Sequence, residues 1–262
     1  MADESFRRLR TVLKPKTYDL TISPNLIKNT FTGLVYIFCD KNHLENENNL
    51  VELNSVDLNI KKLLFNNEVQ QVSHDTPNQR IFFTPKNILV KKNVIEISFT
   101  GLLNTKSLEG FYRIKHEQSE AKAVTQFCAI DARRCFPCFD EPAFKSVFDI
   151  SLEVLDADSC RTCLSNTDVK NVSKFKNEEN QEVTRYNFET TPIMSTYLLA
   201  FVFGNYDFFE RHTSSGIRVR CYTPVDKIDL GRFATETAVK CLEFYENYFG
   251  IEYPLKKLDM IQ

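Results

Sequence analysis

Short segments in which apolar and polar residues alternate run through most of the chain. A period of two places apolar side chains on one face of an extended strand and polar side chains on the other. The connections between these segments are polar and rich in Asn and Glu, and no helical pattern separates them. The alternation therefore predicts an all-β sandwich. The segments are 18–23, 31–38, 51–60, 80–84, 94–99, 147–154, 183–189 and 217–222.

The pattern changes near residue 210. Over 229–249, apolar residues recur at spacings of three and four, which predicts an amphipathic helix. Asp229 is the expected N-cap and Gly250 the expected stop of this helix.

Another alternating segment begins at Lys257, and the sequence ends within it at Gln262. One helix and its neighbouring strands cannot bury a core of their own. We therefore expect a β-domain over 1–209 and, over 210–262, the incomplete start of a second domain.

Composition and charge exclude several classes of protein. The formal net charge is -2, and Lys and Arg form no basic stripe, so a nucleic-acid partner is not expected. The longest apolar run, 197–203, is far shorter than the ~20 residues that span a bilayer, so no membrane partner is expected either. The charged N-terminus does not resemble a secretory signal. These features predict a cytoplasmic protein with mostly reduced cysteines.

Two C-x-x-C pairs, Cys135 with Cys138 and Cys160 with Cys163, have a spacing that is typical of structural zinc sites. The predicted strand 147–154 lies between them, and an extended strand of that length separates its ends by about 25 Å. The geometry favours structural thiols that are buried as small apolar groups. A metal site or a redox pair remains the alternative.

No other motif in the sequence carries complete catalytic chemistry. The histidines, His43, His74, His116 and His212, are far apart, and there is no H-E-x-x-H, no G-x-S-x-G and no glycine-rich phosphate loop. The residues themselves therefore predict neither a catalytic residue nor a metal ligand in this chain.

The segment 125–145, TQFCAIDARRCFPCFDEPAFK, resembles the signature T-Q-F-E-x-T-D-A-R-R-x-F-P-C-F-D-E-P-A-x-K. That signature belongs to the gluzincin zinc aminopeptidases, the aminopeptidase N family, and the match is closest to the family's puromycin-sensitive branch. Further matches lie at 13–20, 194–201 and 244–259, so the resemblance covers nearly the whole chain.

The resemblance implies an antiparallel, saddle-like β-sandwich followed by the start (strand, helix, strand) of a thermolysin-like α+β domain. The family's amine-binding G-x-M-E-N loop and its H-E-x-x-H zinc helix are not among the 262 residues. Zinc would therefore be a cofactor of the full-length enzyme and not of this chain. Peptides would be substrates of that enzyme. Residues from about 210 onward would be the first elements of its catalytic domain, and this chain would contact the rest of that domain.

One substrate-binding element of the family falls inside the chain. In the family, Q-x-E projects into the cleft: Gln lines the pocket for the first side chain, and Glu holds the α-ammonium group. Gln126 matches, whereas Cys128 replaces Glu. A thiol is mostly neutral and accepts hydrogen bonds weakly, so we expect weaker recognition of the peptide N-terminus. The alternative for Gln126 is a strand residue that merely faces solvent.

The charged part of the motif has two interpretations. Two arginines and three carboxylates in a short segment suit an ion-pair network that holds a turn against the sheets, since the planar Arg fork favours such pairs. Direct contact with substrate is the alternative. The motif residues are Asp131, Arg133, Arg134, Pro137, Cys138, Asp140, Glu141 and Pro142.

Three functional hypotheses follow. The first is the N-terminal part of a zinc-dependent aminopeptidase, inactive by itself, that contributes cleft wall and substrate recognition. The second is a non-enzymatic β-sandwich module that acts as a partner or competitor of the full-length enzyme. The third is a small zinc-binding protein that uses its cysteine pairs.

Overall fold

The computed structural model describes residues 8–9, 12–42, 49–114, 122–158 and 160–262. The predictions made above for His43, for His116 and for most of the N-terminal segment lie outside these residues. The strands are β1 (Leu13–Asn25), β2 (Thr30–Lys41), β3 (Val51–Asn54), β4 (Asn59–Phe65), β5 (Glu68–Val69), β6 (Ser73–Asp75), β7 (Arg80–Phe83), β8 (Asn93–Leu102), β9 (Gly110–Ile114), β10 (Lys122–Gln126), β11 (Val147–Leu155), β12 (Thr162–Ser165), β13 (Val169–Lys176), β14 (Glu182–Phe188), β15 (Phe201–Gly204), β16 (Asp207–His212), β17 (Arg218–Thr223) and β18 (Lys257–Ile261). The helix α1 covers Arg232–Phe249, and short 3-10 turns lie at Ala132–Arg134, Asp156–Asp158, Thr196–Leu198 and Ile228–Gly231.

The largest sheet has eight strands in the order β13-β14-β11-β1-β2-β8-β4-β5. Neighbouring strands are antiparallel except β1 and β11, which run parallel with Thr17 opposite Val147. On β1 the side chains of Tyr18, Leu20 and Ile22 are fully buried, as the alternation requires. The all-β prediction is confirmed.

The main core lies between this sheet and a four-stranded sheet in the order β12-β15-β10-β9. Phe31 of the large sheet packs on Phe111 of the small one, with ring centroids 5.3 Å apart, and Phe111 packs on Phe203 at 5.8 Å. A three-stranded sheet, β3-β7-β6, joins the same core through the contact between Phe65 and Phe83. Aromatic rings from the three sheets thus share one apolar interior.

The prediction of a single strand over 51–60 is wrong. The structure divides this segment into β3 and β4, which belong to different sheets. The chain turns between them, where Asp57 adopts a positive φ of 56° that Asp tolerates better than most residues. The apolar residues on either side of the turn therefore serve different sheets.

The last part of the described chain forms a sheet of its own, β16-β17-β18, with α1 packed against β16 and β17. The helix begins at Arg232 with Gly231 as its N-cap, so the prediction of Asp229 as N-cap is wrong. Asp229 lies in the preceding 3-10 turn, where its carboxylate accepts a hydrogen bond from Arg232 at 3.2 Å. Gly250 ends the helix in the left-handed conformation, with φ 63°.

The apolar stripe of α1 points largely to solvent in this structure. Thr235 is the buried residue of the helix, whereas Phe233 is 81% exposed and Tyr248 71% exposed. Phe244 stacks on Tyr248, and Tyr245 stacks on Phe249, so the stripe is an ordered aromatic surface. We call Phe233, Phe244, Tyr245, Tyr248 and Phe249 the helix aromatic face.

Two glycines allow aromatic rings to lie flat on the large sheet. Gly33 of β2 is opposite Phe99 of β8, and Gly101 of β8 is opposite Phe31 of β2. A Cβ at Gly33 would come within 2.3 Å of the Phe99 ring, and a Cβ at Gly101 equally close to the Phe31 ring. The missing side chains therefore make room for two core phenylalanines.

We expect Gly33→Ala to lower the free energy of unfolding by about 1–3 kcal/mol, because the added methyl group displaces the Phe99 ring. The measurement is urea unfolding followed by circular dichroism. In a Phe99→Leu background, the same substitution should lower the free energy of unfolding by clearly less, since the smaller leucine side chain can move away from the added methyl group. Equal losses in both backgrounds would contradict the ring contact as the cause.

Candidate functional site

The residues matched to the substrate-binding Q-x-E element lie at the end of β10. Gln126 is the last residue of this strand and pairs with Gly110 of β9. Phe127 follows it into the core, where its ring meets those of Phe136 and Phe201 edge to face at 6.1 Å. Gln126 and Cys128, on either side of the buried ring, are both exposed. The structure thus brings the two predicted residues to the surface on one firmly anchored turn.

The turn after Cys128 is held by its own backbone and by Asp131. The peptide bond from Cys128 to Ala129 is cis, and the backbone N–H of Asp131 donates to the carbonyl of Phe127 at 2.9 Å. The carboxylate of Asp131 accepts from Nε of Arg134 at 2.9 Å. Arg134 also reaches Asp57 at 3.3 Å, but that carboxylate is 86% exposed, so the second ion pair is screened by water.

Arg133 and Asp140 form a buried ion pair below this turn. Nε of Arg133 donates to Oδ2 of Asp140 at 2.9 Å, and Nη2 donates to the Asp140 carbonyl at 3.1 Å. Oδ1 of Asp140 accepts from Thr196 at 2.6 Å, and its backbone N–H donates to Asn54 at 3.2 Å. Nη1 of Arg133 donates to Gln79 at 3.0 Å. The two charges of this buried pair therefore balance each other, and further hydrogen bonds occupy their polar atoms.

The remaining motif residues tie the same segment to other parts of the fold. Cys138 pairs through its backbone with Asn54 in an isolated bridge, and Pro137 is buried beside it. Glu141 accepts the backbone N–H of Leu9 at 2.6 Å. The carbonyl of Pro142 accepts the hydroxyl of Ser195 at 2.7 Å. Each contact joins the motif to a segment that is distant in sequence.

A cavity of about 340 Å³ lies beside the ion pair and is lined by Gln79, Arg80, Arg133, Asp140 and Glu141, among others. Gln126 and Cys128 are not among the lining residues. The charged part of the motif and the Q-x-E element therefore face different spaces. This arrangement favours the structural interpretation of the ion pair over direct contact with the substrate that Gln126 would meet.

Local sequence patterns missed the residues that hydrogen-bond to the Arg133–Asp140 pair. Asn54 ends a strand, Thr196 lies in a 3-10 turn, and Gln79 lies in the loop before β7. A single polar residue in such places carries no periodic signal. The one sequence feature that indicated any of these residues was the family match at 194–201, which contains Thr196.

The four cysteines of the two C-x-x-C pairs have different surroundings. Cys135 and Cys138 are buried in the main core, and burial raises the pKa of both thiols well above the usual range. Burial raises the pKa of Cys163 in the same way. Cys160 is partly buried, and its sulfur accepts the backbone N–H of Gly204 at 3.0 Å. Protonated thiols are poor ligands and poor nucleophiles.

Within the described ranges, no three His, Cys, Asp or Glu side chains are grouped so that they could hold a metal ion. His74 and His212 are exposed, and the nearest carboxylate oxygen to His212 belongs to Glu210 at 4.0 Å. In the part of the chain that the structure describes, no helix is long and apolar enough to cross a membrane.

Comparison with known proteins agrees with the resemblance read from the sequence. Residues 14–198 match the model of the peptidase M1 N-terminal domain. The chain is 38% identical to aminopeptidase M1 of Arabidopsis thaliana over 97% of this chain and 29% of that protein. It is 39% identical to aminopeptidase M1-A of Oryza sativa subsp. japonica, covering 98% of this chain and 30% of that protein. It is 32% identical to the puromycin-sensitive aminopeptidase of Caenorhabditis elegans, over 98% of this chain and 27% of that protein. The chain thus spans less than a third of the length of these relatives.

We expect Asp140→Asn to lower the free energy of unfolding by about 3–5 kcal/mol, because it leaves the Arg133 guanidinium buried without its counter-charge. Denaturant unfolding measures the change. The control is Asp57→Asn, which breaks a solvent-exposed pair and should cost less than about 1 kcal/mol. Equal losses in the free energy of unfolding for the two variants would show that the buried pair stabilises the fold no more than the exposed pair does.

Proposed function

This chain belongs to the peptidase M1 family through its N-terminal domain, and on that premise we propose that it is the substrate-recognition part of a zinc-dependent aminopeptidase. The proposed enzyme removes N-terminal amino acids from peptides. Similarity to aminopeptidases from plants and a nematode over nearly all of this chain supports the proposal. Because those relatives are more than three times as long, the proposed enzyme includes further residues that carry its chemistry.

The exposed pair Gln126 and Cys128, set on either side of the anchored Phe127, is the observation that carries this proposal. A recognition site works best when its side chains project from a rigid support. Gln126 would line the pocket for the first side chain of a peptide, and Cys128 would lie near its α-ammonium group. The uncharged thiol gives this contact less strength than a carboxylate would.

Zinc does not fit the residues described. The cysteine pairs do not form a cluster of ligands with any His, Asp or Glu in the described ranges, and three of the four thiols are held protonated by burial. The 262 residues contain no H-E-x-x-H. We therefore assign zinc and the general base to the further residues of the proposed enzyme, and the chain by itself would be inactive.

The helix aromatic face supplies a surface for the rest of such an enzyme. Its five aromatic residues are each more than half exposed, and aromatic patches of this kind mark interaction sites. We assign this face to contact with the remainder of the catalytic domain, of which residues 210–262 would be the start. We also assign the protein to the cytoplasm, where its eight free thiols would remain reduced.

We expect the purified 262-residue protein to show no turnover of an aminoacyl-anilide substrate and to contain far less than one zinc per chain by atomic absorption. The reason is that the chain lacks the proposed zinc ligands and base. Turnover that persists through further purification and is abolished by a chelator would overturn this assignment. Stoichiometric zinc that Cys160→Ser removes would instead favour the zinc-binding hypothesis.

We expect Cys128→Glu to tighten binding of a short peptide with a free N-terminus by about tenfold, because a carboxylate adds a charge-assisted hydrogen bond to the α-ammonium group. Chemical-shift titration of the 262-residue protein measures weak binding of this kind. The control variant is Cys128→Gln, which has the same shape without the charge, and the control ligand is the N-acetylated peptide. Equal affinities of the Glu and Gln variants for the free peptide would contradict the assigned role of this position.

A further inference from the structure

A buried lysine crosses the boundary between the last three-stranded sheet and the β-sandwich. Nζ of Lys257, on β18, donates to the backbone carbonyl of Ser165 at the end of β12, at 2.8 Å. The same ammonium group forms an ion pair with Asp259, two residues further along β18. The Lys257 side chain is 4% exposed and that of Asp259 10%. A charge-assisted bond that is this well shielded from water is much stronger than its surface equivalent.

Apolar packing closes only part of this boundary, where Tyr222 of β17 packs with Val124 and Val202 of the β-sandwich. Between β12, β15 and β18 a cavity of about 150 Å³ remains, lined mainly by Leu164, Val202, Leu255 and Leu258 together with Ser165 and Asp259. The hydroxyl of Ser165 and Oδ1 of Asp259 are buried there and have no hydrogen-bond partner in the described structure. A boundary with unfilled space and unsatisfied polar atoms is not held at one angle by close packing alone.

The other contacts across the boundary are weaker or less directional. Arg218 of β17 pairs with Asp168, but both side chains are about one-third exposed, at 29% and 30%, so the pair is partly screened. The rings of Tyr206 and Tyr222 meet edge to face at 6.5 Å, a contact that tolerates sliding. None of these contacts fixes β18 as narrowly as the Lys257 bond does.

We propose that Lys257 is a positioning residue whose buried bond to the Ser165 carbonyl fixes the orientation of β16–β18 and α1 on the β-sandwich. The bond ends on β12, which is joined through β15 to β10, the strand that ends at Gln126. The orientation of the helix is therefore set relative to the strand that presents Gln126 and Cys128. This inference goes beyond the proposed function and does not depend on it, because orientation is measured without any peptide.

Two native cysteines allow a direct test. Cys128 and Cys241 are the exposed thiols of the chain, one beside β10 and the other on α1. Nitroxide labels on both report the distance between the β-sandwich and the helix by pulsed electron paramagnetic resonance. Cys160, which is partly buried, is replaced by Ser in every variant, since a hydroxyl retains its bond from Gly204.

The informative variants separate the loss of the bond from the burial of an unpaired charge. Lys257→Met removes the bond but leaves Asp259 unpaired, and that single variant is expected to fold poorly. The double variant Lys257→Met, Asp259→Leu removes both charges, and the neighbouring cavity has room for the leucine. Lys256→Met is the matched control, since Lys256 is an exposed neighbour on the same segment.

We expect the double variant to keep its fold, to at least double the width of the distance distribution, and to speed amide exchange in β17 and β18 at least tenfold. Exchange in β1 and β2 should not change, because the large sheet lies away from the bond. The Lys256→Met control should retain the native width and exchange. A double variant with the native distance width and native exchange would overturn the proposal, whatever the peptide-binding experiments show.

Discussion

The buried carboxylate of Asp140 is the constraint on which much of this structure depends. An ionised carboxylate that is removed from water requires a partner for each oxygen, and here those partners come from separate places. Arg133, from the preceding turn, donates to one carboxylate oxygen, and Thr196, from a 3-10 turn near the end of the β-sandwich, donates to the other. Asn54, at the edge of another sheet, accepts the backbone N–H of the same residue. All of these hydrogen bonds to Asp140 can form only when the segments meet in one arrangement. Tyr18 adds a fourth segment, because its hydroxyl accepts the backbone N–H of Phe139 next door.

The turn that carries Gln126 and Cys128 benefits from that rigidity without sharing its charged contacts. Phe127 and Phe136 lie in the same aromatic cluster, so the turn that carries Gln126 and Cys128 rests on the segment that Asp140 fixes. The charged groups are engaged in structural contacts, whereas the side chains of Gln126 and Cys128 form no hydrogen bond or ion pair within the described ranges. This division explains how the Glu of the family signature can become Cys at position 128 without disturbing the support. Cys at this position leaves intact the contacts that hold the turn.

The sequence best predicted the strands that have one buried face and one face exposed to solvent. β1, β2, β8 and β11 alternate because they have a core side and a solvent side. β15, with four buried residues in succession, has no alternation to detect. β3 alternates in sequence and was predicted as part of 51–60, but both of its faces are buried, and Glu52 pairs with Arg80 at 3.3 Å. The helix was predictable from its spacing, but the direction of its aromatic face was not, because periodicity identifies a stripe and not what covers it. At the site, the motif located Gln126 and Cys128, whereas the partners of Asp140 are long-range contacts that no local pattern encodes.

The parallel pairing of β1 with β11 has a consequence for how the chain acquires its structure. β1 lies in the middle of the large sheet, but one of its two neighbours is β11, which begins only at Val147. During synthesis, β1 and β2 can form a hairpin early, but the other edge of β1 stays open until β11 has been made. An open edge in an apolar sheet is a template for unwanted pairing. A nascent chain that stalls before Leu155 would therefore expose an unpaired strand edge, and non-native strand pairing is expected at that edge.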